Sequence, residues 1–162
     1  NPFYSPDGRW IAFQSDRSGR MEVWVLNHQT GEVRQLSHEG SGGHFTRWTP
    51  EGDAIVFRCP TCNRTGQTMK IPLAGGPAIP FSNAKGGSHI SLSPDFTHVM
   101  DVVGHNVVWV SPVSGGTPVK VFEFPDSNTR IDYPVWSPDG KAVVFDRFRP
   151  QGGDIWMMED FE

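Results

Sequence analysis

The chain has 162 residues, 36% hydrophobic and 20% charged, a composition suited to one globular domain with a core of its own. Its net charge of −4, with acids and bases interspersed, gives no basic footprint for nucleic acid and no polybasic membrane patch. No run of 18 apolar residues occurs, so no membrane insertion is expected, and no apolar leader is read at Asn1.

The 18 glycines and 14 prolines are spread along the chain at turn positions, which favours a turn-rich β fold over disorder. Four of these turns share one tetrad. Ser5-Pro6-Asp7-Gly8, Thr49-Pro50-Glu51-Gly52, Ser93-Pro94-Asp95-Phe96 and Ser137-Pro138-Asp139-Gly140 follow one another at intervals of 44 residues. Proline sets φ for the second position of a tight turn, aspartate suits the third, and glycine tolerates a left-handed fourth. Three identical intervals make this an internal repeat, which decides the fold before any single element does.

In chain order, each repeat begins with a short strand that runs into the tetrad through Tyr4, Trp48, Leu92 or Trp136. An alternating apolar run follows. Ile11 and Phe13, Ile55 and Phe57, and Val143 and Phe145 stand six and eight residues after the tetrad start, which predicts a strand with one face buried. A polar hairpin then leads to a third run: Val23–Val25, Met69–Leu73, Val107–Val110 and Ile155–Met157. Gly31, Gly76 and Gly116 open a short outer strand that ends near Leu36, Phe81 and Phe122. No segment carries a long apolar stripe of period 3.6, so no substantial helix is expected. The reading is all-β: four antiparallel strands per repeat, the blade of a β-propeller. The whole chain, 1–162, is then one partial propeller domain, with blades at about 1–40, 41–84, 85–128 and 129–162.

The third repeat departs from the others. Phe96 replaces the tetrad glycine, Asp101 stands where an inward phenylalanine is expected, and Gly104-His105-Asn106 makes a shorter hairpin. A buried aspartate is costly unless paired, so a local shift of strand pairing is expected at Asp101.

The stretch from Ser5 to Gly19 and the phrase Pro134-Val135-Trp136-Ser137-Pro138-Asp139-Gly140 resemble the TolB-like, WD-repeat-like propeller family, and the resemblance covers nearly the whole chain. It implies a bacterial repeat protein that binds proteins or peptides, in the periplasm or outside the cell, the cytoplasm being the alternative. It also implies rings of six or more blades. Further residues or a second chain are therefore expected to complete the ring, because unpaired terminal blades would expose strand edges.

In a propeller the strand before each tetrad lines the central tunnel. His44, Ser88 and Asp132 share one offset in that strand, and Asn1, Phe45, His89 and Tyr133 share the next. His44, His89, Asp132 and Tyr133 are accordingly the candidate ligand-binding residues of the tunnel mouth. His44, His89 and Asp132 could hold a metal or form a hydrogen-bonded polar rim; the rim is the reading, and no metal or other cofactor is expected, since one histidine per blade spaces ligands widely. Cys59-Pro60-Thr61-Cys62 falls in a hairpin. It is the candidate disulfide, or else a pair of plain structural thiols, because no helix lowers a thiol pKa there and no second cysteine pair completes a zinc site. Asp16-Arg17 and Asp146-Arg147 read as structural pairs at blade edges, and the 123–130 loop as a surface contact.

Gly-x-Ser-x-Gly is absent and each tetrad serine already has a turn role, so no catalytic residue is assigned. The function expected is non-enzymatic recognition of a protein or peptide through the tunnel mouth and blade loops. The alternative is the propeller portion of a prolyl oligopeptidase-type hydrolase, gating access to a catalytic domain outside this chain.

Overall fold

A computed structural model describes residues 2–40, 45–62, 66–82, 89–126 and 128–148. Strands β1 (Phe3–Tyr4), β2 (Trp10–Ser15), β3 (Glu22–Asn27) and β4 (Val33–Gln35) pair in that order as one antiparallel sheet. Strands β5 (Thr46–Trp48), β6 (Ala54–Cys59), β7 (Gln67–Pro72) and β8 (Ile79–Pro80) repeat the pattern. So do β9 (His89–Leu92), β10 (His98–Val103), β11 (Val107–Pro112) and β12 (Val119–Glu123). Strands β13 (Arg130–Trp136) and β14 (Val143–Phe148) pair as a fourth sheet. The run Ile155–Met157 lies outside the described residues. All elements among the described residues are strands, and none is a helix long and apolar enough to cross a membrane.

The tetrads make the turns between the first and second strand of each sheet, and one hydrogen-bond pattern recurs in them. The Ser5 hydroxyl donates to Asp7 Oδ1 at 2.6 Å and accepts from the Trp10 N–H at 2.9 Å, while Asp7 Oδ1 also accepts from the Arg9 N–H. Ser93 with Asp95 and Ser137 with Asp139 repeat it, each at 2.6 Å. In the second sheet Glu51 holds the aspartate position and Asp53 takes the bond instead, accepting from Thr49 at 2.7 Å. In the first, third and fourth tetrads the donors stabilise the ionised carboxylate. The Ser93 hydroxyl, ahead of the Thr97 N–H and hydroxyl, holds Asp95 at about 2, and Asp7 and Asp139 are lowered chiefly by Ser5 and Ser137. The fourth tetrad position is left-handed in all four turns: φ is 71° at Gly8, 72° at Gly52, 69° at Gly140 and 57° at Phe96. Phe96 adopts a backbone that a side chain disfavours by roughly 1–2 kcal/mol.

The sheets pack face to face through their inner strands. Ala12, Val23 and Val25 of the first meet Ile55, Phe57 and Ile71 of the second in one apolar cluster. Val56 and Phe45 of the second meet Val99 and Ile90 of the third. Met100 and Val102 of the third meet Ile131 of the fourth. Each inner blade is therefore covered on both sides. This corrects the expectation of strands with one buried face: all six residues of β6 are buried, because Ile55 and Phe57 face one neighbour and Val56 the other. Polar links cross the same seams. Trp48 Nε1 donates to the Phe3 carbonyl at 2.9 Å, and the Arg34 guanidinium to the Leu73 carbonyl at 3.2 Å.

The third sheet overturns the expectation at Asp101. Its register runs unbroken from Val99 to Val102 against β9 and from His98 to Val103 against β11, and Asp101 is 0% exposed. The strand does not slip, and an opposite charge acting on Asp101 comes across the seam from the second blade. Arg58, also buried, is the penultimate residue of β6, on the same face as Val56, which is turned to the third blade, and the Asp101 carboxylate favours the charged guanidinium against the desolvation that lowers its pKa. Arg58 lies over Gly66, where a Cβ would come within 2.5 Å of the guanidinium.

Candidate functional site

Antiparallel pairing puts the start of each inner strand at the same end of its blade as the hairpin between the second and third strands. In the third blade that end carries His89, the first residue of β9, opposite Val102 of β10, and the hairpin Gly104-His105-Asn106. In the fourth it carries Asp132 on β13. A backbone bond joins the two ends: the Ile131 N–H donates to the His105 carbonyl at 2.7 Å. This bond fixes His105 beside Asp132, one residue further along β13. His105 itself is left-handed, with φ 62°, as the two-glycine-like curvature of a short hairpin requires.

The side chains converge on one carboxylate oxygen. Asp132 Oδ1 lies 2.7 Å from His105 Nδ1 and 3.0 Å from His89 Nε2. The two imidazoles stand edge to face, 5.5 Å between centroids. The His89 side chain is 13% exposed, that of Asp132 31% and that of His105 37%, so the cluster is sheltered yet open to solvent. The Asp132 N–H donates to Asp146 Oδ1 at 2.9 Å, which sets a second carboxylate next to the strand.

Tyr133 completes the group. It occupies the irregularity in the β13–β14 ladder between Asp132 and Val135, with φ 46°. Pro134 has no N–H to give to that ladder, so the strand bulges there and turns the side chain outward. The Tyr133 ring is 60% exposed and packs edge to face on His89 at 4.9 Å. An exposed aromatic beside two imidazoles and a carboxylate offers stacking, hydrogen-bond donors and acceptors, and charge within one small surface.

Of the four candidate mouth residues, His89, Asp132 and Tyr133 thus lie together, and His44 lies outside the described residues. Phe45, at the same offset as His89 and Tyr133, is buried in the seam between the second and third blades instead. His105 is the member that the repeat alignment misses, because it belongs to a hairpin and not to an inner strand. Its position in a hairpin at the same end of the blade was the available signal.

The Cys59-Pro60-Thr61-Cys62 hairpin occupies the corresponding place in the second blade, and the structure joins Cys59 to Cys62 with Cα atoms 5.4 Å apart. Thr61 Oγ1 donates to the Glu39 carbonyl at 3.1 Å, which ties the hairpin to the connection between the first two blades. The same connection is held by Glu22, a buried residue without a sequence signal: Oε1 accepts the Gly40 N–H at 2.9 Å, and Oε2 accepts the Ser37 hydroxyl. Arg17 lies over the rings of Phe13 and Trp24, and Arg147 over Phe124. At the opposite end of the molecule, the tetrads of the third and fourth blades frame a groove of about 450 Å³ lined by Asp95, His98, Trp136 and Asp139.

No protein-family model matches the chain. Among curated proteins, it is 27% identical over 150 residues to an uncharacterized protein of Agrobacterium fabrum, covering 92% of this chain and 40% of that one. It is 29% identical over 162 residues to Tricorn protease homolog 1 of Streptomyces coelicolor, covering 90% of this chain and 15% of that protein. A 57-residue stretch is 37% identical to the uncharacterized peptidase YuxL of Bacillus subtilis. The chain therefore spans less than half the length of the relatives it matches. Among solved structures, TolB from Acinetobacter baumannii superposes with a TM-score of 0.62 at 19% identity, over 94% of this chain and 43% of that one. A putative TolB from Agrobacterium tumefaciens gives 0.62 at 15% identity, over 91% and 57%. A prolyl endopeptidase gives 0.60 at 14% identity, over 86% and 23%. Sheets that recur every 44 residues, pack face to face through their inner strands and superpose on these structures give the chain the fold of consecutive blades of a TolB-like β-propeller.

Proposed function

We propose that this chain is a recognition module that binds a protein or peptide at the end of the propeller where His89, His105, Asp132 and Tyr133 meet. The observation that supports it is Tyr133. A tyrosine 60% exposed, on a left-handed backbone in a strand bulge, gains nothing for the core from that position. Such a residue suits contact with a partner, where tyrosine is a frequent anchor. The neighbouring histidines and carboxylate supply the polar contacts that fix a bound segment's orientation. The joined cysteines suit an oxidising compartment, the periplasm or the outside of the cell. The test is to pan a displayed peptide library on the chain and to measure the selected peptides on the Tyr133→Ala variant. Loss of affinity by about tenfold or more is expected for an anchor of this kind. Peptides that bind the variant equally well would move the recognition surface elsewhere.

A second reading is favoured by the likeness to Tricorn protease homolog 1 and to the peptidase YuxL. In it, the blades restrict access of peptides to a catalytic domain in the same full-length protein. Peptide hydrolysis by that protein, with a size limit that is lost when the blades are deleted, would establish it. The same cleavage pattern with and without the blades would exclude it.

A further inference from the structure

The three side chains that meet at Asp132 are the donor set of a transition-metal site. We propose that His89 Nε2, His105 Nδ1 and an oxygen of Asp132 bind one divalent ion of the zinc class. It uses three of the four side chains assigned above to peptide recognition, but it does not rest on that reading.

The geometry is near what such an ion needs. The three donor atoms lie within 4.8 Å of one another. Metal–nitrogen and metal–oxygen bonds of about 2.0–2.2 Å place tetrahedral donors roughly 3.3–3.5 Å apart. The Asp132 oxygen is closer than that to both nitrogens, at 2.7 and 3.0 Å, so the side chains must open away from it to admit an ion. The donors come from three separate segments: an inner strand, a hairpin, and the inner strand of the next blade. Two of these are already fixed to each other by the bond between the Ile131 N–H and the His105 carbonyl. Much of the cost of bringing the donors together is therefore met by the fold itself, and less is left to the ion.

The donor types choose the ion. Two imidazoles and one carboxylate suit zinc, cobalt, nickel or copper and do not suit calcium or magnesium, which take oxygen ligands. Three protein donors leave at least one coordination position for water or for an oxygen of a bound molecule. Asp146, whose Oδ1 accepts the Asp132 N–H, adds negative charge beside the site. The opposing account is a self-contained rim in which both imidazoles donate to the carboxylate and no ion enters.

The two accounts separate in solution. The chain, with Cys59 and Cys62 kept oxidised, is stripped with chelator and titrated with zinc chloride by calorimetry, and with cobalt chloride by visible absorption. One zinc per chain is expected, with cobalt bands of nitrogen–oxygen ligation and a rise in thermal midpoint on zinc addition. His105→Ala and Asp132→Asn should each weaken zinc at least about tenfold, the cost typical of losing part of a metal site. Circular dichroism of the stripped variants should match that of the stripped parent chain. Should a variant fail to fold, the parent's own cobalt spectrum and stoichiometry decide. The proposal is overturned if the chain takes up no zinc and gives no cobalt bands. It is equally overturned if the His89→Ala/His105→Ala double variant binds zinc as well as the parent does.

Discussion

Trp48 Nε1 donates to the Phe3 carbonyl at 2.9 Å, so the strand that opens the second blade is tied to the strand that opens the first. Trp48 is buried in the cluster shared by those two blades, and the bond satisfies the one polar atom of its ring. Trp48→Phe keeps most of the apolar contact and removes the donor. It should lower stability by about 1–3 kcal/mol, read as a shift of the urea midpoint with an unchanged slope. Trp136 holds the matching position in the fourth blade, where its Nε1 has no such partner among the described residues. The same substitution there should cost less.

Arg58 and Asp101 are both buried at the same seam and influence each other electrostatically, which makes a sharper prediction. Removing one partner leaves the other charge in the seam without compensation, so Asp101→Ala alone should cost on the order of 3–5 kcal/mol. Replacing both, with Arg58→Met and Asp101→Leu, should recover most of the loss, because well-packed apolar residues of similar volume often match a buried ion pair. Equilibrium unfolding of the single and double variants measures the coupling. Additive losses would show that the two charges do not interact.

Phe96 is a place where the chain can be improved. Its φ of 57° is the conformation that glycine holds in the other three tetrads. Phe96→Gly removes the steric penalty but raises the entropy of the unfolded chain, and the ring is only partly buried. The net result should be a gain of about 0.5–1 kcal/mol in thermal unfolding. A loss would mean that the ring's contacts outweigh the backbone strain.

The tetrad carboxylates set an acid limit on the fold. Asp95 is held at about 2 and Asp7 and Asp139 below their usual 3.8, each by a serine hydroxyl and a backbone N–H. A carboxylate whose folded pKa lies below its unfolded value stabilises the fold at every pH above the unfolded value. That stability is lost as pH falls through the folded value. Stability should therefore be level above about pH 5 and decline from near pH 4 towards pH 2. Ser93→Ala, which removes the largest donor to Asp95, should make the decline shallower. A decline unchanged by Ser93→Ala would show that other groups govern it.

The fold was legible because the repeat states it four times. The tetrads recur at one spacing and the strands after them follow in the same order, so local geometry can be read from them even where the third repeat departs in detail. What the repeat hides is whatever depends on the neighbouring blade. Asp101 reads as an error within its own blade, since its partner Arg58 comes from the blade before. Ile55 and Val56 read as one buried and one exposed, since a single blade does not show that both its faces are covered. The site divides in the same way. His89, Asp132 and Tyr133 follow from offsets in the inner strand. For His105 the sequence offers only its hairpin at the same end of the blade; its meeting with Asp132 follows from the seam, where the Ile131 N–H draws the third hairpin onto the fourth blade.

The recognition surface can be located directly by hydroxyl-radical footprinting of the chain, alone and saturated with a peptide selected on it. Tyr133, His89 and His105 should lose reactivity together, with little change at Phe122 on the outer strand. Protection at Phe122 with Tyr133 unchanged would contradict the assignment and move binding to the blade edge.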